Sequence, residues 1–142
     1  MLRIAARGTR LLSRSVHTEA RIAKLGLELP SLPQPAGAYK LGVQQDGWVY
    51  LAGHLSFKED MKTPYTGIVG QDYTAEEAEA LAKIVGLELI ASLKTTVGDL
   101  DRVKRIVKVN GFIRCAPDFT ALPAVLNGCS NLLGEIFEDD PC

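Results

Sequence analysis

The sequence predicts an α+β domain in which two helices lie on one face of a mixed sheet. Three observations predict it. Segments 75–96 and 120–138 carry apolar residues at helical spacing on one side only. Two short apolar runs flank an Asp-Gly pair, which marks a hairpin. A third β-rich run, 103–114, separates the helices. The order is β-β-α-β-α. Helices apolar on one side need a surface to cover, and three strands are narrow cover for two of them. The pattern therefore calls for one more strand after the second helix, where the chain supplies only Glu138-Asp139-Asp140-Pro141-Cys142. A missing C-terminal strand is the expectation.

The opening residues 1–18 hold Arg3, Arg7, Arg10 and Arg14 and no acid. On a helix, Leu2, Ile4, Ala5, Leu11 and Leu12 share one side. That is the composition of a mitochondrial transit peptide with the matrix as destination; a disordered basic tail is the alternative. A secretory signal needs a continuous apolar core of about seven residues, and the arginines interrupt every such run. Residues 19–36 read as an extension. It starts with a short amphipathic element at 19–29, followed by a Pro-rich linker that favours extended backbone. The domain proper is expected over 37–142.

The hairpin strands are expected at 39–44 and 47–53, because glycine after Asp46 tolerates positive φ. Residues 54–72, rich in Gly, Pro, Asp and Lys, read as a loop with a brief strand near 67–69. Thr74 and Glu77 have capping-box spacing, which satisfies orphan amides at a helix start. Ala78, Leu81, Ala82, Val85, Leu89, Ile90 and Leu93 continue the helix to a stop at Gly98. In 103–114, alternation places Val103, Val107, Val109 and Ile113 on a core face, with Lys104, Ile106, Lys108, Asn110, Phe112 and Arg114 opposite. Ala116-Pro117-Asp118 breaks that strand. Leu122, Val125, Leu126, Cys129, Leu132, Leu133, Ile136 and Phe137 form the last helix, with Pro123 tolerated in its first turn.

Composition bounds the function. Hydrophobic residues make up 46% and charged residues 23% of 142, a globular balance with no repeat or low-complexity tract. No apolar run approaches the roughly 18 residues of a spanning helix. The 16 Lys and Arg less the four near the start leave 12, against 17 Asp and Glu, so residues 19–142 carry a net −5. An acidic body repels phosphate backbones, so nucleic acid is a poor partner. Cys115, Cys129 and Cys142 form no C-x-x-C, and with two distant histidines no zinc spacing arises. They read as reduced thiols, Cys129 as a small core residue.

The polar residues suggest no complete site. Ser56, His54 and Asp60 are neighbours in sequence but show no nucleophile elbow. His54, opening a loop after a strand, suits either a pocket edge or the surface. The glycines form no phosphate-binding loop. Glu76, Glu77 and Glu79 favour the dipole at a helix start. Lys104, Arg105 and Lys108 are too few for a nucleic-acid groove. Asn127, between apolar neighbours, is either pocket-facing or exposed.

The order and spacing do resemble one family. Pro35-Ala36-Gly37-Ala38-Tyr39 resembles the P-x-x-x-Y opening of YjgF/RidA proteins, and Trp48 to Ser56 resembles their strand ending in a Ser/Ala-Gly-Gln/His turn. Gly98-Asp99-Leu100-Asp101-Arg102-Val103 resembles their G-D-L turn, and Phe119 to Asn127 their second helix. The match runs over about 30–140, with a His-turn version at His54. The resemblance implies a chorismate-mutase-like fold, a homotrimer with pockets between neighbours, and cofactor-free hydrolysis of reactive 2-imino acids to 2-oxo acids and ammonia. Tyr39, Gly53, His54 and Asn127 would bind substrate. The family's arginine, which grips the substrate carboxylate, and its water-positioning glutamate would lie beyond Cys142; Arg105 and Arg114 do not match the position. The 142 residues alone are thus expected to be inactive. A non-catalytic trimer that binds small carboxylates or acts as a scaffold, and an endoribonuclease, are the alternatives. No metal, organic cofactor, nucleic acid or membrane is expected as partner.

Overall fold

A computed structural model describes residues 17–137. The order is α1 (Thr18–Lys24), β1 (Gly42–Gln45), β2 (Trp48–Leu51), α2 (Ala75–Val97), a 3-10 turn (Leu100–Arg102) and α3 (Leu122–Phe137). The fold is α+β.

α2 begins where its capping box dictates. The Glu77 amide donates to Thr74 Oγ1 at 3.2 Å, and the Thr74 amide donates back to Glu77 Oε2 at 2.8 Å. It stops at Gly98, whose φ of 82° few other residues accept. α3 runs antisolvent along Val125, Cys129, Leu132, Leu133, Ile136 and Phe137, all buried. These side chains meet Ile90, Leu93 and Val97 of α2, and Leu100 beyond it, in the main core. Ile90, Leu100 and Ile136 have no exposed surface. The two helices approach closely because Gly128 faces α2. A Cβ there would collide with the Glu79 backbone carbonyl.

The hairpin forms on a two-residue turn. Asp46 (φ 49°) and Gly47 (φ 81°) both take positive φ, the geometry that matches strand twist. Gln45 pairs with Trp48 and Gly42 with Leu51, antiparallel. Val49 and Leu51 pack inward on the helices, while Val43, Trp48 and Tyr50 are 48%, 53% and 65% exposed on the outer face. The strands are shorter than the expected 39–44 and 47–53, although the Ala52 amide extends the ladder one step by donating to Leu41 at 2.9 Å.

The third strand is the main correction. Residues 104–113 form no ladder among the described residues; pairing resumes where the Val69 amide donates to the Arg114 carbonyl and the Ala116 amide to the Val69 carbonyl. The inward residues are Val103, Ile106 and Val109, every third rather than every second. Val107, expected on the core face, is 63% exposed, and Ile106, expected opposite, packs on the core. Pleated alternation is imposed by a paired neighbour, and without one the chain follows the helix surface instead. The sheet is consequently two-stranded. Phe57 and Pro64 make an isolated bridge in the 54–72 loop, and Val69 bridges both Tyr73 and Cys115.

α1 belongs to the packed body. Ile22 joins the main core, and Leu27 and Leu29 lie against it. Glu19 accepts from Lys94 at 2.8 Å and from the Leu100 amide at 3.3 Å, and its own amide donates to Asp101 Oδ1 at 3.0 Å. Arg21 donates to the Ile136 carbonyl at 2.8 Å, covering an orphan acceptor at the end of α3.

Candidate functional site

Three of the four expected site residues flank the open end of the hairpin, opposite its tight turn. The extended ladder brings Tyr39, which is 49% exposed, toward the same end as Gly53 and His54. Gly53 is exposed, and a Cβ built on it would meet nothing within 4 Å. Asn127 is not brought there. It is exposed on α3, lining a shallow groove of about 350 Å³ with Glu76, Glu79 and Lys83 of α2.

His54 is half-buried and held at both ring nitrogens. Nδ1 lies 2.9 Å from the Ala52 carbonyl and Nε2 2.5 Å from Ser92 Oγ. A carbonyl oxygen can only accept, so Nδ1 carries the proton. In the neutral ring, Nε2 then accepts from the Ser92 hydroxyl. Burial lowers the His54 pKa, and the bond to Ala52 opposes that shift. Ser92 is fully buried. A serine–histidine pair with the hydroxyl sealed off cannot attack a substrate, so it is no hydrolytic dyad.

The Ser56/His54/Asp60 grouping is not assembled. Asp60 instead closes a turn, accepting from the Lys62 and Thr63 amides, both at 2.9 Å, and from Thr63 Oγ1 at 2.6 Å. The Thr63 hydroxyl bond, then the two amides, hold its pKa down to about 2.

Sequence reasoning missed Glu88. It is 1% exposed on α2, and its Oε1 accepts the Phe57 amide at 3.2 Å. Burial pushes its carboxyl up to about 7, with the Phe57 amide pulling the other way. A signal existed: Leu81, Glu88 and Ser92 recur at helical spacing on one stripe, so a carboxylate there had to be buried. Thr96 continues this stripe and marks it as facing the hairpin. A Cβ on Gly42 would collide with Thr96 Oγ1 and lie 2.9 Å from Leu51 Cδ2. The loop thus runs antiparallel to α2, with His54 on Ser92 and Phe57 on Glu88. Cys129 is buried in the core, which raises its thiol pKa.

A family model described as "YjgF/chorismate_mutase-like, putative endoribonuclease" matches residues 19–141. The chain belongs to the YjgF family. Its relatives include Protein TCP17 of Trypanosoma cruzi, 35% identical over 121 residues, which are 85% of this chain and 75% of that protein. Among solved structures, a "putative endoribonuclease" from Shewanella oneidensis superposes with a TM-score of 0.79 at 32% identity, over 84% of this chain and 79% of that one. Protein Atu1372 from Agrobacterium tumefaciens, a protein of unknown function, gives a TM-score of 0.75 at 29% identity, over 86% of this chain and 74% of that one. The YjgF match begins at Glu19, inside α1, in agreement with the seat of Ile22 in the core. No helix of the described residues is long and apolar enough to cross a membrane.

Proposed function

We propose that this YjgF protein serves the hydrolysis of reactive 2-imino acids to 2-oxo acids and ammonia. The observation that carries the reading is family membership across the folded body, together with a hairpin end where Tyr39 and Gly53 stand exposed beside a fixed His54. In this reading Tyr39 and the Gly53 backbone face a small carboxylate, and Asn127 of one subunit belongs to a different surface from Tyr39 and Gly53. Trimerisation sheet against sheet accounts for the exposure of Val43, Trp48 and Tyr50 on the outer hairpin face. The Arg-rich start, Arg3 to Arg14, supports delivery to the mitochondrial matrix, with residues 1–18 as leader.

The test is ammonia release from 2-iminopropanoate made in situ, using the gene product purified from its own cells. An acceleration of at least about a hundredfold over buffer is expected, the scale of positioned acid–base chemistry. No acceleration from a trimeric preparation would reject the reading.

The descriptions of the family and of the Shewanella protein favour a second reading, endoribonuclease. The net −5 over residues 19–142 opposes it. RNA cleavage that survives repurification and falls steeply with added salt would establish it.

A further inference from the structure

The 53–57 turn is clamped to α2 at two points. The first is His54 on Ser92. The second is Phe57 on Glu88, one helical turn away. Both acceptor or donor groups on α2 are buried, Ser92 completely and Glu88 to within 1%. A buried carboxylate that accepts a backbone amide and a buried hydroxyl that meets an imidazole are costly unless satisfied. Here each is satisfied by this one turn. The loop beyond is itself stiffened: the Tyr65 amide donates to the Ser56 carbonyl and the Lys58 amide to the Thr63 carbonyl. Gly53 is exposed, and a Cβ built on it would point into open space.

We propose that Glu88 and Ser92 are positioning residues, which fix the Gly53–Phe57 turn against α2 and hold His54 as an internal brace rather than a substrate ligand. With Nδ1 on Ala52 and Nε2 on Ser92, both imidazole nitrogens are spent inside the chain. What remains to face a ligand at that turn is the backbone around Gly53 and the Tyr39 ring. The proposal deepens the functional reading above and rests on it only in taking this turn as a border of the substrate pocket.

The test uses the isotope-labelled 142-residue chain, with S92A, S92T, E88Q and E88L. In wild type, nitrogen spectra are expected to show neutral His54 protonated at Nδ1. Removing the Ser92 hydroxyl removes a donor to the neutral ring, so S92A raises the His54 pKa and S92T restores it. Loss of the buried acceptor oxygen in E88L speeds exchange of the Phe57 amide by about tenfold or more. E88Q keeps an acceptor oxygen and stays within about threefold of wild type. Wild-type His54 protonated at Nε2, or a Phe57 amide indifferent to E88L, would overturn the proposal. These spectra decide it whatever the outcome of the imine assay, whose failure removes the functional reading instead.

Discussion

The helical layer and the sheet layer of this protein are built to different degrees of closure. Between α2 and α3 there is close packing, with Ile90 and Ile136 wholly removed from solvent, and a glycine where backbones nearly touch. In the sheet layer, among the described residues, two four-residue strands pair only with each other, and the segment 104–113 lies on the helices without a ladder partner. The comparison separates two sources of order. The helices satisfy their own backbone groups and need only apolar contact. A strand needs a neighbour, so apolar contact alone places 103–113 on the core without making it a strand.

Four substitutions test this contrast. The largest effect is expected at Ile136→Ala, fully buried at the helix interface, with a loss of about 2–5 kcal/mol in chemical denaturation. Gly128→Ala forces α3 away from the Glu79 carbonyl and costs about 1–3 kcal/mol by overpacking, seen as a lower midpoint with unchanged slope. Equal stability of Gly128→Ala and wild type would show that the helices are not in close approach there.

Glu88 gives a smaller, pH-dependent effect at the junction of the layers. Its carboxyl is raised from 4.5 to about 7 in the folded chain, so the folded state binds the proton more tightly than the unfolded one. The stabilising contribution is complete below 4.5 and is lost as pH rises through about 7. Denaturation midpoints of wild type should fall across that window, and Glu88→Gln should flatten the fall. The smallest effect is expected in the sheet layer, at Phe112, which is 95% exposed. Phe112→Ser should change the stability of the isolated chain by less than about 0.5 kcal/mol.

The same contrast explains what the sequence disclosed. The expected helices at 75–96 and 120–138 match Ala75–Val97 and Leu122–Phe137 within two residues, because caps and 3.6-residue periodicity are local signals. The Asp46-Gly47 turn was legible for the same reason. The pairing of 103–114 was not, since alternation cannot report whether a neighbour is present, and the inversion of Ile106 and Val107 follows from that. At the hairpin end, motif order singled out Tyr39, Gly53 and His54, two of them exposed and His54 held internally. Ser92 and Glu88 were hidden because their partners lie 38 and 31 residues away in sequence. Asn127 sits on another surface because its helix turns that side toward solvent, between Val125 and Gly128, which face inward.

The most direct test of a closed helical layer beneath an open sheet layer is amide hydrogen exchange across the 142-residue chain. Residues 86–93 of α2 should be protected by at least about a thousandfold, and 104–112 by less than about tenfold. Comparable protection in the two segments would mean that 104–112 has a ladder partner, and would contradict the account.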